Sequence, residues 1–143
     1  MPWSKDMFDQ PSMKAQEEIA PFTPDGIVPT KGKALPIKDR DEAIKLRNRF
    51  EPTDKSIAWG KVLYNTYCAL CHGETGHGDG RVGEKYVPPT DLTDEYVQNK
   101  PDGDIYYTIT YGGLVVMPLF GDAISPEDRW HIINYIKSVI GKN

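Results

Sequence analysis

The stretch that most restricts the fold is Cys68-Ala69-Leu70-Cys71-His72, which holds both cysteines of the chain. It ends the segment TDKSIAWGKVLYNTYC, residues 53–68. There Ile57, Ala58, Val62, Leu63 and Tyr67 recur at helical spacing, behind Thr53 or Asp54 as N-cap. Residues 73–90 are rich in Gly, Pro and polar groups and read as loop. A helix that runs straight into two thiols and an imidazole, and then into loop, is open to four chemistries.

The first is a disulfide. Two cysteines three apart close a small, strained ring that adds little stability. The second is structural zinc, which wants four Cys/His ligands, usually as two separated pairs. Here Cys68, Cys71, His72 and His77 crowd one stretch and His131 is remote. Adjacent Cys71 and His72 do not easily face one ion. The third is thiol exchange of the thioredoxin kind, which follows a strand; the lead-in here is helical. The fourth is covalent attachment of a c-type haem, for which Cys-x-x-Cys-His is the signature. Two sulfurs add to the vinyl groups on one porphyrin edge, and the next residue lies beneath the ring, where a histidine binds iron.

The context favours the fourth. Iron held by His72 needs a sixth ligand or an open site, and His/Met ligation is common where only electrons move. Of the four methionines, Met1, Met7 and Met13 lie near the N-terminus. Met117 lies in Gly112-Gly113-Leu114-Val115-Val116-Met117-Pro118, a loop that Pro118 stiffens. Core filler is the usual role of a lone Met, but a loop between helices has little need of one. His72 and Met117 are therefore the expected metal ligands.

The remaining elements predict an all-α domain. Asp39 to Phe50 suggests one weak amphipathic helix. DLTDEYVQ suggests a short helix started by Asp91 or Thr93, and DGDIYYTITYGG a helix from about Asp104, ended by Gly112-Gly113. The last helix is the clearest: Ser125 caps it, Pro126 opens it, Glu127 and Asp128 suit its positive end, and Gly141 stops it. Gly60, Tyr64 and Cys68 share one face of the first helix. A mid-helix glycine costs about 1 kcal/mol against Ala, which predicts close approach of the terminal helix through Trp130, Ile132, Ile133 and Tyr135.

Residues 1–52 read differently. Seven of the twelve prolines lie there, and apolar residues show no sustained period. They predict an extended arm with no core of its own, ahead of a domain over 53–143. The chain carries 17 basic and 21 acidic residues, a net charge of −4. No basic patch exists to neutralise phosphates, which argues against nucleic acid. No run of about 18 apolar residues spans a bilayer, and no basic stretch followed by an apolar run opens the sequence.

Residues 53–143 resemble a mono-haem class I cytochrome c domain. Six segments agree in order: G-x3-Y-x3-C-A-x-C-H-G, G-x-G-D-G, P-P-x-D-L-T, D-G-D-I-Y-x-x-I-T-Y-G, M-P and R-W-x-I-I-x-Y-I. The resemblance implies crossing N- and C-terminal helices with shorter helices around one haem. It implies that Pro89 offers its carbonyl to the His72 N–H, with Pro88 as the near alternative, and that Leu92 and Leu70 line the haem pocket. Tyr86 and Arg81 are candidates for a haem propionate, His77 for an exposed loop and His131 for the helix surface. The arm is similar to that of the mono-haem subunit of alternative complex III, a bacterial quinol-oxidising membrane complex. That resemblance implies partner contacts from Asp9-Gln10-Pro11 to multi-haem or iron–sulfur subunits. Both cysteines are taken by haem, so no lipid-anchor cysteine is left.

The function these readings imply is one-electron transfer by one covalent haem c, with no catalytic residue of its own. The setting implied is periplasmic, or peripheral on the outer face of the cytoplasmic membrane, in a respiratory chain. A freely diffusing carrier is the first alternative. A haem enzyme or gas sensor with an open iron site is the second.

Overall fold

A computed structural model describes residue 37 and residues 39–85, 87–113 and 116–142. These lie in a compact unit, Leu35–Asn143. Among the described residues the helices are α1 (Arg40–Ile44), α2 (Asp54–Tyr67), α3 (Ala69–His72), α4 (Glu95–Gln98), α5 (Asp102–Tyr111) and α6 (Pro126–Ser138). There is no strand among them, only one antiparallel bridge between Gly113 and Met117. The fold class is all-α, as predicted.

The centre is the meeting of α2 and α6. Each starts where its cap predicts: Thr53 Oγ1 accepts from the Ser56 amide at 3.3 Å, and Ser125 Oγ from the Asp128 amide at 3.2 Å. Gly60 lets the helices touch. A Cβ there would stand 2.1 Å from the His131 carbonyl oxygen and 3.0 Å from Tyr135 Cβ. Around this contact Tyr64, Ile132, Ile133 and Ile140 are fully buried. Tyr106 of α5 stacks on Trp130 of α6, with ring centroids 4.3 Å apart.

Several boundaries differ from the predicted ones. α6 ends at Ser138, and Gly141 falls in a 3-10 turn, Ile140–Lys142, because Ile140 turns inward and is fully buried. α5 begins two residues early, at Asp102. Asp94, rather than Asp91 or Thr93, caps α4 by accepting from the Tyr96 amide at 2.8 Å. Asp91 is engaged with Thr93, whose amide and hydroxyl donate to it at 2.7 and 2.6 Å. α1 stops at Ile44, well short of Phe50. Asn48 takes its side chain away instead: Nδ2 donates to the Trp130 carbonyl at 3.2 Å and to Asn134 Oδ1 at 2.8 Å, and Oδ1 accepts from the Phe50 amide at 2.9 Å. Such side-chain bonds compete with helix.

Residues 39–52, predicted as the end of the arm, are thus part of the folded unit. Ala43 is buried against Gly103, where a Cβ would stand 1.8 Å from the Ala43 carbonyl oxygen. Phe50 packs on the core. The unit begins at Leu35 and not at 53. Residues 1–36, with the contacts expected of Asp9-Gln10-Pro11, lie outside the described residues.

Arg40 of α1 and Lys100 bracket Asp104 of α5, which is 5% exposed; Lys100 Nζ donates to it at 2.8 Å. Burial works to raise the Asp104 pKa, but the Lys100 hydrogen bond and the two cations outweigh it, and the pKa is lowered. A lowered folded value means that the carboxylate's contribution is present above its unfolded pKa of about 3.9. It is lost as pH falls through the folded value. Asp104→Asn is expected to lose about 1 kcal/mol at pH 7 in urea unfolding. The gap from wild type should narrow below about pH 4; a gap unchanged down to about pH 3 contradicts the assignment.

Candidate functional site

α2 carries its helical turn into the motif, so both cysteines and His72 arrive on a single bend. Cys68 ends α2 and precedes α3. Its carbonyl accepts from the Cys71 amide at 3.1 Å and the His72 amide at 2.9 Å. A four-residue helix leaves its own carbonyls unpaired, and the following loop supplies the donors. The amides of Val82, Gly80 and Gly78 donate to the carbonyls of Leu70, Cys71 and His72 at 3.1, 3.1 and 2.9 Å. The glycines follow from this closeness. A Cβ on Gly80 would stand 2.5 Å from the Cys71 and Leu70 carbonyl oxygens, and Gly78 has φ 81°. From α2, the Tyr64 hydroxyl donates to the Gly73 carbonyl at 2.8 Å.

His72 Nδ1 lies 3.2 Å from the carbonyl oxygen of Thr90. The expected partner was Pro89, with Pro88 second, and the register is shifted by one or two residues. The cause is the packing of Pro89. Its Cδ comes within 3.0 Å of where a Cβ on Gly83 would stand, and its carbonyl oxygen within 2.7 Å of where a Cβ on Gly78 would stand. With its own carbonyl turned to Gly78, the next one faces the imidazole. A carbonyl only accepts, so Nδ1 carries the proton. Burial lowers the His72 pKa, and the Thr90 bond opposes this only in part, so the ring is neutral. Among the described residues nothing hydrogen-bonds Nε2, which leaves its lone pair for another partner.

Both cysteines are free thiols. Burial first, and then the neighbouring Cys71, push the Cys68 thiol up to about 12. Exchange nucleophiles need the opposite shift, which argues against the thiol-redox reading. Among the described residues no three His, Cys, Asp or Glu side chains are grouped to hold a metal ion, which argues against zinc.

Met117 is set by its bridge to Gly113, whose amide donates to the Met117 carbonyl at 3.1 Å and whose carbonyl accepts from the Met117 amide at 3.0 Å. Cys68, Leu92 and Met117 are each partly buried and packed against the core cluster. Leu70, between the two cysteines, is 57% exposed. The donor set suits a covalently held tetrapyrrole: two unpaired thiols at fixed spacing, a neutral imidazole with Nε2 open, and a thioether on a second loop.

The other candidates are placed as follows. His77 is half-exposed, with Nδ1 3.0 Å from Asp91 Oδ2. The Thr93 hydroxyl and then His77 draw the Asp91 pKa down to about 2. With the Leu92 amide donating to the Gly76 carbonyl at 2.7 Å, this pair ties the loop after His72 to the strand of chain that carries Thr90. His131 is not a free surface residue: its Nδ1 lies 2.8 Å from Ser56 Oγ and its ring 4.6 Å from that of Phe50. Arg81 is exposed, and Tyr86 lies outside the described residues. Sequence reasoning missed Thr90 and Arg129. The charge on an otherwise apolar helix face was the available signal for Arg129.

The family model described as cytochrome c oxidase, cbb3-type, subunit III matches residues 55–136, more than half of the chain. The cytochrome bc1 complex cytochrome c subunit of Corynebacterium diphtheriae is 33% identical over 93 residues, 64% of this chain and 30% of that protein. Cytochrome c550 of Pseudomonas aeruginosa is 28% identical over 113 residues, 78% of this chain and 75% of that protein. A chain of the Kuenenia stuttgartiensis reducing HAO-like protein complex superposes with a TM-score of 0.54 at 29% identity, covering 66% of this chain and 47% of that one. The chain spans about a third of the length of the first curated relatives it matches.

Proposed function

Since the chain belongs to the c-type cytochrome family described as cytochrome c oxidase, cbb3-type, subunit III, we propose that it transfers single electrons through one haem c. Cys68 and Cys71 hold the haem by thioether links, and His72 and Met117 bind its iron. The observation that carries this reading is the fixed turn from Cys68 to His72, with Nδ1 engaged by Thr90 and Nε2 left open.

The bound haem supplies the redox centre, an iron that cycles between two oxidation states. The chain's residues do the rest. The Thr90 carbonyl holds the imidazole proton at Nδ1 and fixes the ring plane, as outer partners of ligating histidines do. The amides of Gly78, Gly80 and Val82 keep the cysteine turn from unwinding. The Gly113 bridge aims Met117, and Leu92 excludes water from the interior. With the haem held there, electrons would exchange at the surface around Leu70, the exposed residue between the two cysteines. Transfer of a single electron breaks no substrate bond, so this reading requires no general acid or nucleophile.

The finer reading is a subunit of a membrane quinol-oxidising respiratory complex of the alternative complex III kind, on the periplasmic side. The Pro-rich residues 1–34 would contact its multi-haem or iron–sulfur subunits. Their Pro-rich composition supports this. Among the described residues no helix is long and apolar enough to cross a membrane. The match over three-quarters of cytochrome c550 favours a second reading, a diffusing carrier. Deleting residues 1–34 tests the two. The truncated chain is expected to keep the haem spectrum and the unfolding midpoint, and to lose copurification with the complex. If it still copurifies, the arm is not the attachment. The deletion must stop before Arg40 and Asn48, whose bonds to Asp104 and Asn134 belong to the fold. Rapid binding of CO or cyanide by the intact chain would instead indicate an open iron site.

A further inference from the structure

We infer that Arg129 positions the loop that carries Met117, and through it the sulfur proposed above to bind the iron; the inference rests on that ligation. Arg129 lies on α6 and is 5% exposed. Its guanidinium is fully engaged. Nε and one terminal nitrogen donate to the Ile124 carbonyl at 3.0 and 2.8 Å, and the same terminal nitrogen also reaches the Gly121 carbonyl. The other donates to Thr110 Oγ1 at 3.1 Å and to the Tyr106 hydroxyl at 3.3 Å. Among the described residues no carboxylate pairs with it.

A buried cation without a counter-ion is tolerated only where fixed dipoles replace its water. Here the dipoles are backbone carbonyls four and seven residues beyond Met117, and they must face inward for the charge to stay buried. The same stretch is tied to the end of α5, where the amides of Phe120 and Gly121 donate to the carbonyls of Ile109 and Thr110 at 3.0 and 3.1 Å. Arg129 therefore binds α5, through Tyr106 and Thr110, and the loop, through Gly121 and Ile124, at once. Gly121 packs closely on α5, since a Cβ there would lie 2.9 Å from the Thr110 carbonyl oxygen. Only a planar fork with five donors reaches all of these acceptors; an ammonium supplies three from one point.

The test uses the full haem-loaded chain and two readouts. One is the weak ferric absorption band that reports sulfur ligation. The other is the rate at which added imidazole displaces the sulfur. A hydrogen bond to a charged group shifts a local opening equilibrium by a factor of about ten or more. Arg129→Gln is expected to admit imidazole at least about tenfold faster and to weaken the band. Arg129→Lys should fall between, since it restores the charge without the fork. Thr110→Val, which removes one acceptor, should speed entry by less. Asp104→Asn weakens the other end of α5 without touching the loop and should leave entry unchanged, which separates positioning from general stability. If Arg129→Gln does not fold, Arg129→Lys and Thr110→Val carry the comparison. Wild-type entry rates and an intact band in those two variants overturn the inference while sulfur ligation stands. A wild type without the band, indistinguishable from Met117→Ala, instead overturns the ligation and the inference with it.

Discussion

A chain carrying Cys68→Ala together with Cys71→Ala is expected to leave a host competent for c-type maturation with no covalently attached pigment. Its intact mass should be that of the polypeptide alone, and acid acetone should strip any colour that remains. The wild-type chain should retain its colour under the same treatment and carry the mass of one haem. The effect is all-or-none because the thioether links are covalent bonds, and no other cysteine exists to replace them. The arrangement of the turn supports this outcome. Its carbonyls are already satisfied by loop amides, so the two thiols are presented at a spacing that folding alone maintains. His72→Ala in the same host is expected to keep the covalent pigment but to change its spectrum, because attachment and iron ligation rest on different side chains. A double alanine variant that still resists acid acetone would refute the proposed attachment.

Gly60→Ala sets two effects of opposite sign against each other. Helix propensity favours alanine by about 1 kcal/mol in a helix interior. Packing opposes it, since the added Cβ would stand 2.1 Å from the backbone oxygen of His131, which no rotamer change can move away. Overpacking of this kind costs about 1–3 kcal/mol, and more where backbone must shift. With a backbone-shift cost of about 3–4 kcal/mol less the propensity gain, the net expectation is a loss of roughly 2–3 kcal/mol, out of a total of about 5–15 kcal/mol for a domain. For a unit of this size the thermal midpoint should fall by about 10–20 °C. Calorimetry of the haem-loaded chain measures it. An unchanged or raised midpoint would mean that α2 and α6 do not touch at Gly60.

What the sequence made legible was whatever had a local cause. Ser125 with Pro126, Thr53 before its helix and Gly112 after α5 each act within one turn of their position, and each lies where it was predicted. Gly60 was legible as well, because an uncompensated propensity cost implies a partner. The features that stayed hidden depend on partners far along the chain. Asn48 ends α1 by bonding Trp130 and Asn134, more than eighty residues away. His131 is fixed by Ser56, seventy-five residues earlier. The carbonyl facing His72 is that of Thr90 because Pro89 packs on Gly78 and Gly83, a contact that no periodicity records. Arg129 drew no role from the sequence. Its burial follows from carbonyls in a loop whose path no pattern of side chains specifies.

The pairing between the loop amides and the cysteine turn also bears on how such a sequence can change over time. Val82, Gly80 and Gly78 meet Leu70, Cys71 and His72 in reverse order. Adding or removing one residue between 78 and 82 would put the later amides out of step with their carbonyls. Substitution there is open wherever a side chain faces water, but a change in length is not. Insertions and deletions that survive selection should fall outside this segment.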